Sequence, residues 1–185
     1  MLDAAEELFR EGGSDALTVE AVIERAGTST GSFYARFGNR RGLFVAMHER
    51  FLDIFGTAVA DAAVHALTKP TRHESLHHFF ASVFATVREH RNTLYFHMIQ
   101  NAHVADMRAQ GNELTKAVFA QMTEIAKVHA SKHEGIDLTR MDMVGRILQG
   151  LAIEMMLFEP DEVTGRFISD EERALRLADV VDAYL

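Results

Sequence analysis

His73-Glu74-Ser75-Leu76-His77 reads H-E-x-x-H, the spacing that sets two imidazoles on one helix face beside a general-base carboxylate. Zinc hydrolysis also needs a third ligand, and the nearest acid downstream in that helical pattern is Glu89. About one chain in twenty of this composition carries such a match by chance. A regulatory metal on His73 and His77, or on His129 and His133 at the same spacing, is the milder reading, and no metal or other cofactor is assigned. Gly27-Thr28-Ser29-Thr30-Gly31 reads G-x-S-x-G, but a nucleophile elbow needs a strand before its serine, and here a helical pattern precedes it. Absence of cysteine removes thiol catalysis, disulfides and cysteine-based zinc sites. The chain is therefore not expected to be an enzyme.

The third chemical signal is charge. The 185 residues carry a net charge of −8, which argues against a general nucleic-acid coat. Yet no Asp or Glu occurs between Glu24 and Glu49, a window that holds Arg25, Arg36, Arg40 and Arg41, with His48 as well. A local excess of positive charge in an acidic protein suits a phosphate backbone if the surrounding elements present it.

Those elements read as helices. The apolar period is helical almost throughout, only Pro70 and Pro160 interrupt, and the length suits one domain or a large one with a small one. An all-α protein is expected. Its acidic start lacks a signal-peptide pattern and no apolar stretch approaches membrane-spanning length, so a soluble cytoplasmic protein without membrane association is expected. Leu2, Ala5 and Phe9 mark a first helix that Gly12-Gly13 stops. Thr18 caps a second, with Val19, Val22, Ile23 and Ala26 on its stripe and Gly27 at its end. A third runs from Ser29 to Phe37, Phe33 and Phe37 packing inward, and Asn39 caps the next. Two short helices joined by a tight glycine turn, the second small and polar, make a helix-turn-helix. Short outward side chains let the second helix approach bases closely, and its amino end offers free amides to phosphate. Tyr34 and Arg40 are placed to hold the DNA backbone.

Here Leu2 to Met47 resembles the DNA-binding head of the TetR (tetracycline-repressor-like) family of bacterial transcription regulators. The residues that carry the likeness are Ala4-Ala5-Glu6-Glu7-Leu8-Phe9, Gly12, Thr18-Val19-Glu20-Ala21-Val22 and Ala26-Gly27-Thr28-Ser29-Thr30-Gly31-Ser32-Phe33-Tyr34-Ala35-Arg36-Phe37, with Arg40 where the family has Lys. The resemblance implies that Thr18 and the amide end of the second helix meet phosphate, and that Ser29, Thr30, Ser32 and Tyr34 lie in or beside the major groove. Arg40 then clamps the backbone. Thr28, Ile23, Arg36 and Arg41 depart from the usual pattern; Thr28, Arg36 and Arg41 join the candidate DNA-contacting residues, and Arg41 adds positive charge at that face. The basic tail that often precedes the family's first helix is missing, so the chain is read as starting late.

The expected division is a DNA-binding head over 1–47 and a helical ligand-binding and dimerisation domain over 48–185, with connections at Thr68–Arg72 and Glu159–Ser169. A long helix from Arg40 to about Leu67, with Leu43, Phe44, Met47, Phe51, Ile54, Phe55 and Ala58 on its stripe, links the two. The helix from about Leu138 to Phe158 is apolar on more than one side, and the resemblance implies that the last two helices pair with their copies in a homodimer. Phe80, Phe84, Tyr95, Met98, Phe119, Met122 and Met155, with His103 as a polar contact and His97 beside it, are the candidate lining of a pocket for a small apolar or aromatic effector. The implied function is a homodimeric repressor released from a palindromic operator by that effector. The alternatives are an activator of the same family, or a helical small-molecule or metal-binding module without DNA regulation.

Overall fold

The computed structural model describes residues 1–101, 103–130 and 135–185, and all of its regular structure is helical. Helix α1 (Leu2–Ala16) buries Ala4, Ala5, Leu8 and Phe9. Its helical path breaks at Gly12 (φ −146°) and Gly13 (φ 65°), so the doublet ends the regular helix and a last turn continues beyond the kink. Helix α2 (Val19–Arg25) starts on the Thr18 hydroxyl, which accepts from the Ala21 amide at 3.1 Å. Its end is a Schellman closure: Gly27 stands at φ +58°, where a side chain would strain the backbone, and the Thr28 amide donates to the Ile23 carbonyl at 3.1 Å. Helix α3 (Thr30–Phe37) follows, capped by Ser29.

Helix α4 (Arg40–Ala66) starts on Asn39, whose side chain accepts from the Gly42 amide, and ends shortly before Pro70. Helix α5 (Arg72–Glu89) is capped by Thr71 and buries Leu76, Phe79, Phe80, Val83, Phe84 and Val87. It packs against α4 on one side and α9 (Asp170–Tyr184) on the other. Helix α6 (Arg91–Tyr95) runs into a π-helical turn, Phe96–Gln100, and then α7 (Ala105–Val128) packs across α4 and α5. Helix α8 (Leu138–Leu157) completes the bundle against α5, α6 and α7.

Two cores result. The smaller joins Ala5, Leu8, Phe9, Leu17, Val22, Phe33, Leu43 and Met47, and takes in Phe96 from the π-helical turn. The larger runs through α4, α5, α7, α8 and α9. Ion pairs fasten α9 to α5 at both ends: Arg72 on Asp182 at 2.7 Å and Arg88 on Asp170 at 2.8 Å. Buried Arg173 of α9 pairs with Glu154 of α8 at 2.9 Å. Among the described residues, no helix is long and apolar enough to cross a membrane.

Candidate nucleic-acid interface and core cavity

Helix α3 buries only Phe33, with Phe37 half-buried beside it at a ring separation of 5.3 Å. Everything else on α3 faces outward. Thr30, Ser32, Tyr34 and Arg36 are exposed, and Tyr34 rests edge-on against Phe33 at 5.5 Å. Ser29 is exposed as well, but its hydroxyl is engaged: it accepts from the Ser32 amide at 3.2 Å and lies 2.9 Å from the Ser32 hydroxyl. Thr28 is half-buried in the turn, and Thr18 and Arg41 are exposed.

The cations of the acid-free window have unequal freedom. Arg25 turns back onto α1, donating to both carboxylate oxygens of Glu11 at 3.0 and 2.8 Å. Arg40 donates to the Leu17 carbonyl at 2.8 Å and the Ser14 carbonyl at 2.7 Å, and its guanidinium lies 4.9 Å over the Phe44 ring. It therefore braces α4 against the α1–α2 connection, which leaves Nη1 and the second N–H of Nη2 to meet a phosphate. Arg36 lies over the Phe37 ring yet is exposed, as is Arg41. His48, counted in the window by its position, is a correction. It is 2% exposed and points into the bundle, not toward α3's outer face.

The second feature is a cavity of about 70 Å³ between α4, α5, α6, α7, α8 and the π-helical turn. Phe51, Phe55, Val83, Leu114 and Phe119 line much of it, and no Asp, Glu, Lys or Arg does. His48 from α4 and His97 from the π-helical turn face each other on its wall, ring centroids 4.6 Å apart. His97 is 3% exposed and stacks on Phe51 at 5.7 Å. Neither nitrogen of His97 has a hydrogen-bond partner, and those of His48 have none at ordinary hydrogen-bond geometry, although the Met107 backbone lies near enough to act on its ring. Burial pushes the His97 imidazole down to about 3, with His48 opposing its charge as well. Burial also lowers His48, against a smaller opposite pull from the Met107 backbone. Both rings are therefore neutral near pH about 7.

The family model of bacterial regulatory proteins, tetR family, matches residues 1–47, which span the whole of α1, α2 and α3 and the start of α4. The head of this chain, about a quarter of its length, is thus similar to that family. The matched model describes bacterial regulatory proteins. The HTH-type transcriptional repressor ComR of Escherichia coli (strain K12) is 31% identical over 86 residues, 46% of this chain and 38% of that protein, so the matched stretch spans well under half of that relative. Among solved structures, the TetR-family regulator PfmR of Thermus thermophilus superposes with a TM-score of 0.64 at 20% identity, covering 97% of this chain and 95% of that one. A TetR/AcrR-family regulator of Thermobifida fusca gives 0.66 at 19%, covering 97% and 93%. These likenesses establish a shared fold over the whole length, head and bundle together.

The bundle redistributes the expected effector residues. Met98 and Phe119 line the cavity. Phe80, Phe84, Met122 and Met155 are buried in the solid part of the larger core and do not line it. Tyr95 lies by the head beside Gly12-Gly13, and His103 lies near Arg41, both away from the cavity. His97, one of the two expected polar contacts, does line the cavity, and His48, which was not among the expected residues, joins it. A signal for His48 existed: it stands four residues after Phe44 and three before Phe51, on the buried stripe.

The two minor motifs are absorbed elsewhere. His73 lies 2.9 Å from Asp179 and His77 3.0 Å from Glu171, each imidazole on its own acid of α9. Glu74 accepts from the Thr71 hydroxyl at 2.8 Å as part of the α5 cap. Among the described residues no group of three metal-ligating side chains is gathered. His129 lies 2.8 Å from the Ser75 hydroxyl, and His133 lies outside the described residues. Ser29 of the G-x-S-x-G match is a helix cap between two helices.

Proposed function

We propose that this protein is a homodimeric transcriptional regulator of the cytoplasm that binds a palindromic DNA operator and is released from it by a small, largely apolar molecule. The observation that carries the reading is α3: it buries one side chain and offers Thr30, Ser32, Tyr34 and Arg36 outward, in a segment without a single carboxylate. Residues 1–47 serve as the head and 48–185 as the ligand and dimer domain, with α4 belonging to both. Thr18 and Arg41 flank α3 for phosphate contact, Thr28 and Ser29 set its amino end, and Nη1 of Arg40 adds one contact to its bracing role. A repressor is favoured over an activator because the curated relative matched is a repressor.

Dimer formation follows from exposed apolar side chains on the last two helices. Met143, Ile147 and Leu157 of α8, with Phe158 after it, and Val180 and Tyr184 of α9 lie open to solvent. One α3 reads few bases, whereas two related by a twofold read half-sites about 34–36 Å apart or a multiple of that. Burying an unpaired charge at such a contact is costly, so Ile147→Arg should weaken self-association at least tenfold by analytical ultracentrifugation. A variant that sediments like its parent removes this interface from the reading.

The route from ligand to head is short. Phe96 sits in the head core, its ring 5.1 Å from Phe9 and 5.3 Å from Phe44. Its chain neighbour, His97, lines the cavity. A ligand that moves the π-helical turn therefore moves a wedge of the head, and it shifts the equilibrium only if it binds the two arrangements unequally. The test of the reading is a gel shift with DNA flanking the protein's own coding region, at several salt concentrations. Affinity should fall steeply with salt, and Tyr34→Ala should weaken binding at least tenfold while leaving the helical circular-dichroism spectrum unchanged. Salt-insensitive binding, or full affinity in Tyr34→Ala, would overturn it.

A further inference from the structure

Among the described residues, His48 and His97 are the buried side chains with both polar atoms unpaired at ordinary hydrogen-bond geometry. Both are more than nine-tenths buried, both face the cavity, both ring nitrogens of His97 lack partners, and those of His48 have none at ordinary hydrogen-bond geometry, with only the Met107 backbone near enough to favour its charged form. A buried polar group without a partner is destabilising, and leucine or phenylalanine would fill these positions without that cost. A guest entering the cavity with both a donor and an acceptor would pair a nitrogen of each ring and offset part of that cost.

We infer that His48 and His97 together form the polar end of the effector site and select an apolar molecule that carries one neutral hydroxyl group, a phenol or an alcohol. This rests on the reading of the cavity as an effector site. Each neutral imidazole offers one N–H donor and one lone pair, and a hydroxyl offers one donor and two lone pairs. Between rings 4.6 Å apart, a hydroxyl can donate to one ring and accept from the other. No charge enters the bundle. A carboxylate fits worse: it only accepts, no lysine or arginine lines the cavity, and burial opposes the imidazolium that would offset its charge.

The remainder of the ligand must be apolar, because Phe51, Phe55, Leu114 and Phe119 form the walls. At about 70 Å³ the cavity is smaller than any aromatic guest, so an occupant has to displace side chains. Met98 and Met156 line it, and unbranched thioether chains yield most readily. The empty and occupied bundles thus differ in shape, the condition a ligand-driven switch requires.

The probes are 4-ethylphenol, its methyl ether 4-ethylanisole, and 4-ethylbenzoate, titrated calorimetrically into the whole protein at about pH 7.5. The phenol should bind saturably, and the ether and the benzoate at least tenfold more weakly, because each leaves imidazole nitrogens unpaired or brings in a charge. His97→Leu should shrink the phenol-to-ether preference to less than about threefold while circular dichroism stays helical; if that variant fails to fold, His48→Leu replaces it. Ring-carbon NMR signals of His48 and His97 should shift with phenol and not with ether. Equal binding of phenol and ether, tightest binding of the benzoate, binding by none of the three, or an undiminished preference in the leucine variant overturns the inference. The regulator reading is tested apart: a ligand-free gel shift on the same preparation fails or succeeds independently of these titrations.

Discussion

Replacing Gly42 by alanine should unfold the head at a temperature where the parent is intact. A Cβ built on Gly42 would lie 1.9 Å from the Phe37 carbonyl oxygen and 3.0 Å from its carbon. Those are backbone atoms, so no side-chain rotation relieves the overlap. Phe37 is the last residue of α3, and Gly42 stands in the first turn of α4, its amide held by Asn39 at 2.9 Å. The two helices can approach this closely only where one of them has no side chain. Separating them pulls Phe33 and Phe37 away from Leu43 and the rest of the smaller core. Overpacking of this kind costs about 3 kcal/mol, or about 6–12 °C in the melting temperature of a chain this long. DNA affinity should fall with it, since α3 loses its seat. Gly111→Ala is the control: nothing lies within 4 Å of its added Cβ, and alanine favours a helix interior over glycine. A Gly42→Ala protein melting within a degree or two of its parent would refute the packing argument.

Gly42 also marks where sequence reasoning stops. The helix caps at Thr18 and Asn39 were within its reach because a cap joins an oxygen to an amide two or three residues away, and the structure has both bonds. The Gly12-Gly13 break and the turn at Gly27 were legible for the same local reason. The contact of Gly42 with Phe37 is an approach of two helices, and residue types do not announce it. Arg40 is a similar case. Its acceptors are carbonyls of Ser14 and Leu17, more than twenty residues away, so its bracing role was invisible while its charge was obvious.

The cavity was read with more error than the head, and the reason is physical. Phe and Met were selected for bulk, but bulk says only that a residue is buried. Phe80, Phe84 and Met122 fill space completely, whereas Met98 and Phe119 border a void, and the difference lies in how six elements meet. His48 failed differently. It was added to the positive window because of what histidine can become, although the spacing from Phe44 and to Phe51 placed it on the buried face. Where charge and period disagreed, period was the better guide, because the free energy of burying a long apolar stripe fixes which way α4 faces.

The same buried histidines make the protein acid-sensitive well above the range where carboxylates protonate. Burial holds His97 at about 3 in the folded chain, against 6.5 for the free side chain. Above 6.5 the ring is neutral in both states and costs nothing in proton binding. As pH falls below 6.5 the unfolded chain takes up a proton that the folded chain refuses, so stability is lost progressively until the folded ring itself titrates near 3. The slope approaches about 1.4 kcal/mol per tenfold rise in proton concentration, or about 2 kcal/mol by pH about 5. His48, lowered by burial too, acts in the same direction. Between about pH 7.5 and 5 the melting temperature should therefore drop by about 4–8 °C on account of His97 alone. His97→Leu removes that part of the slope and melts higher than the parent at the acid end. Coincident pH profiles for the parent and the variant would mean that His97 is hydrated or paired, and the neutral imidazole pair at the cavity wall would have to be abandoned.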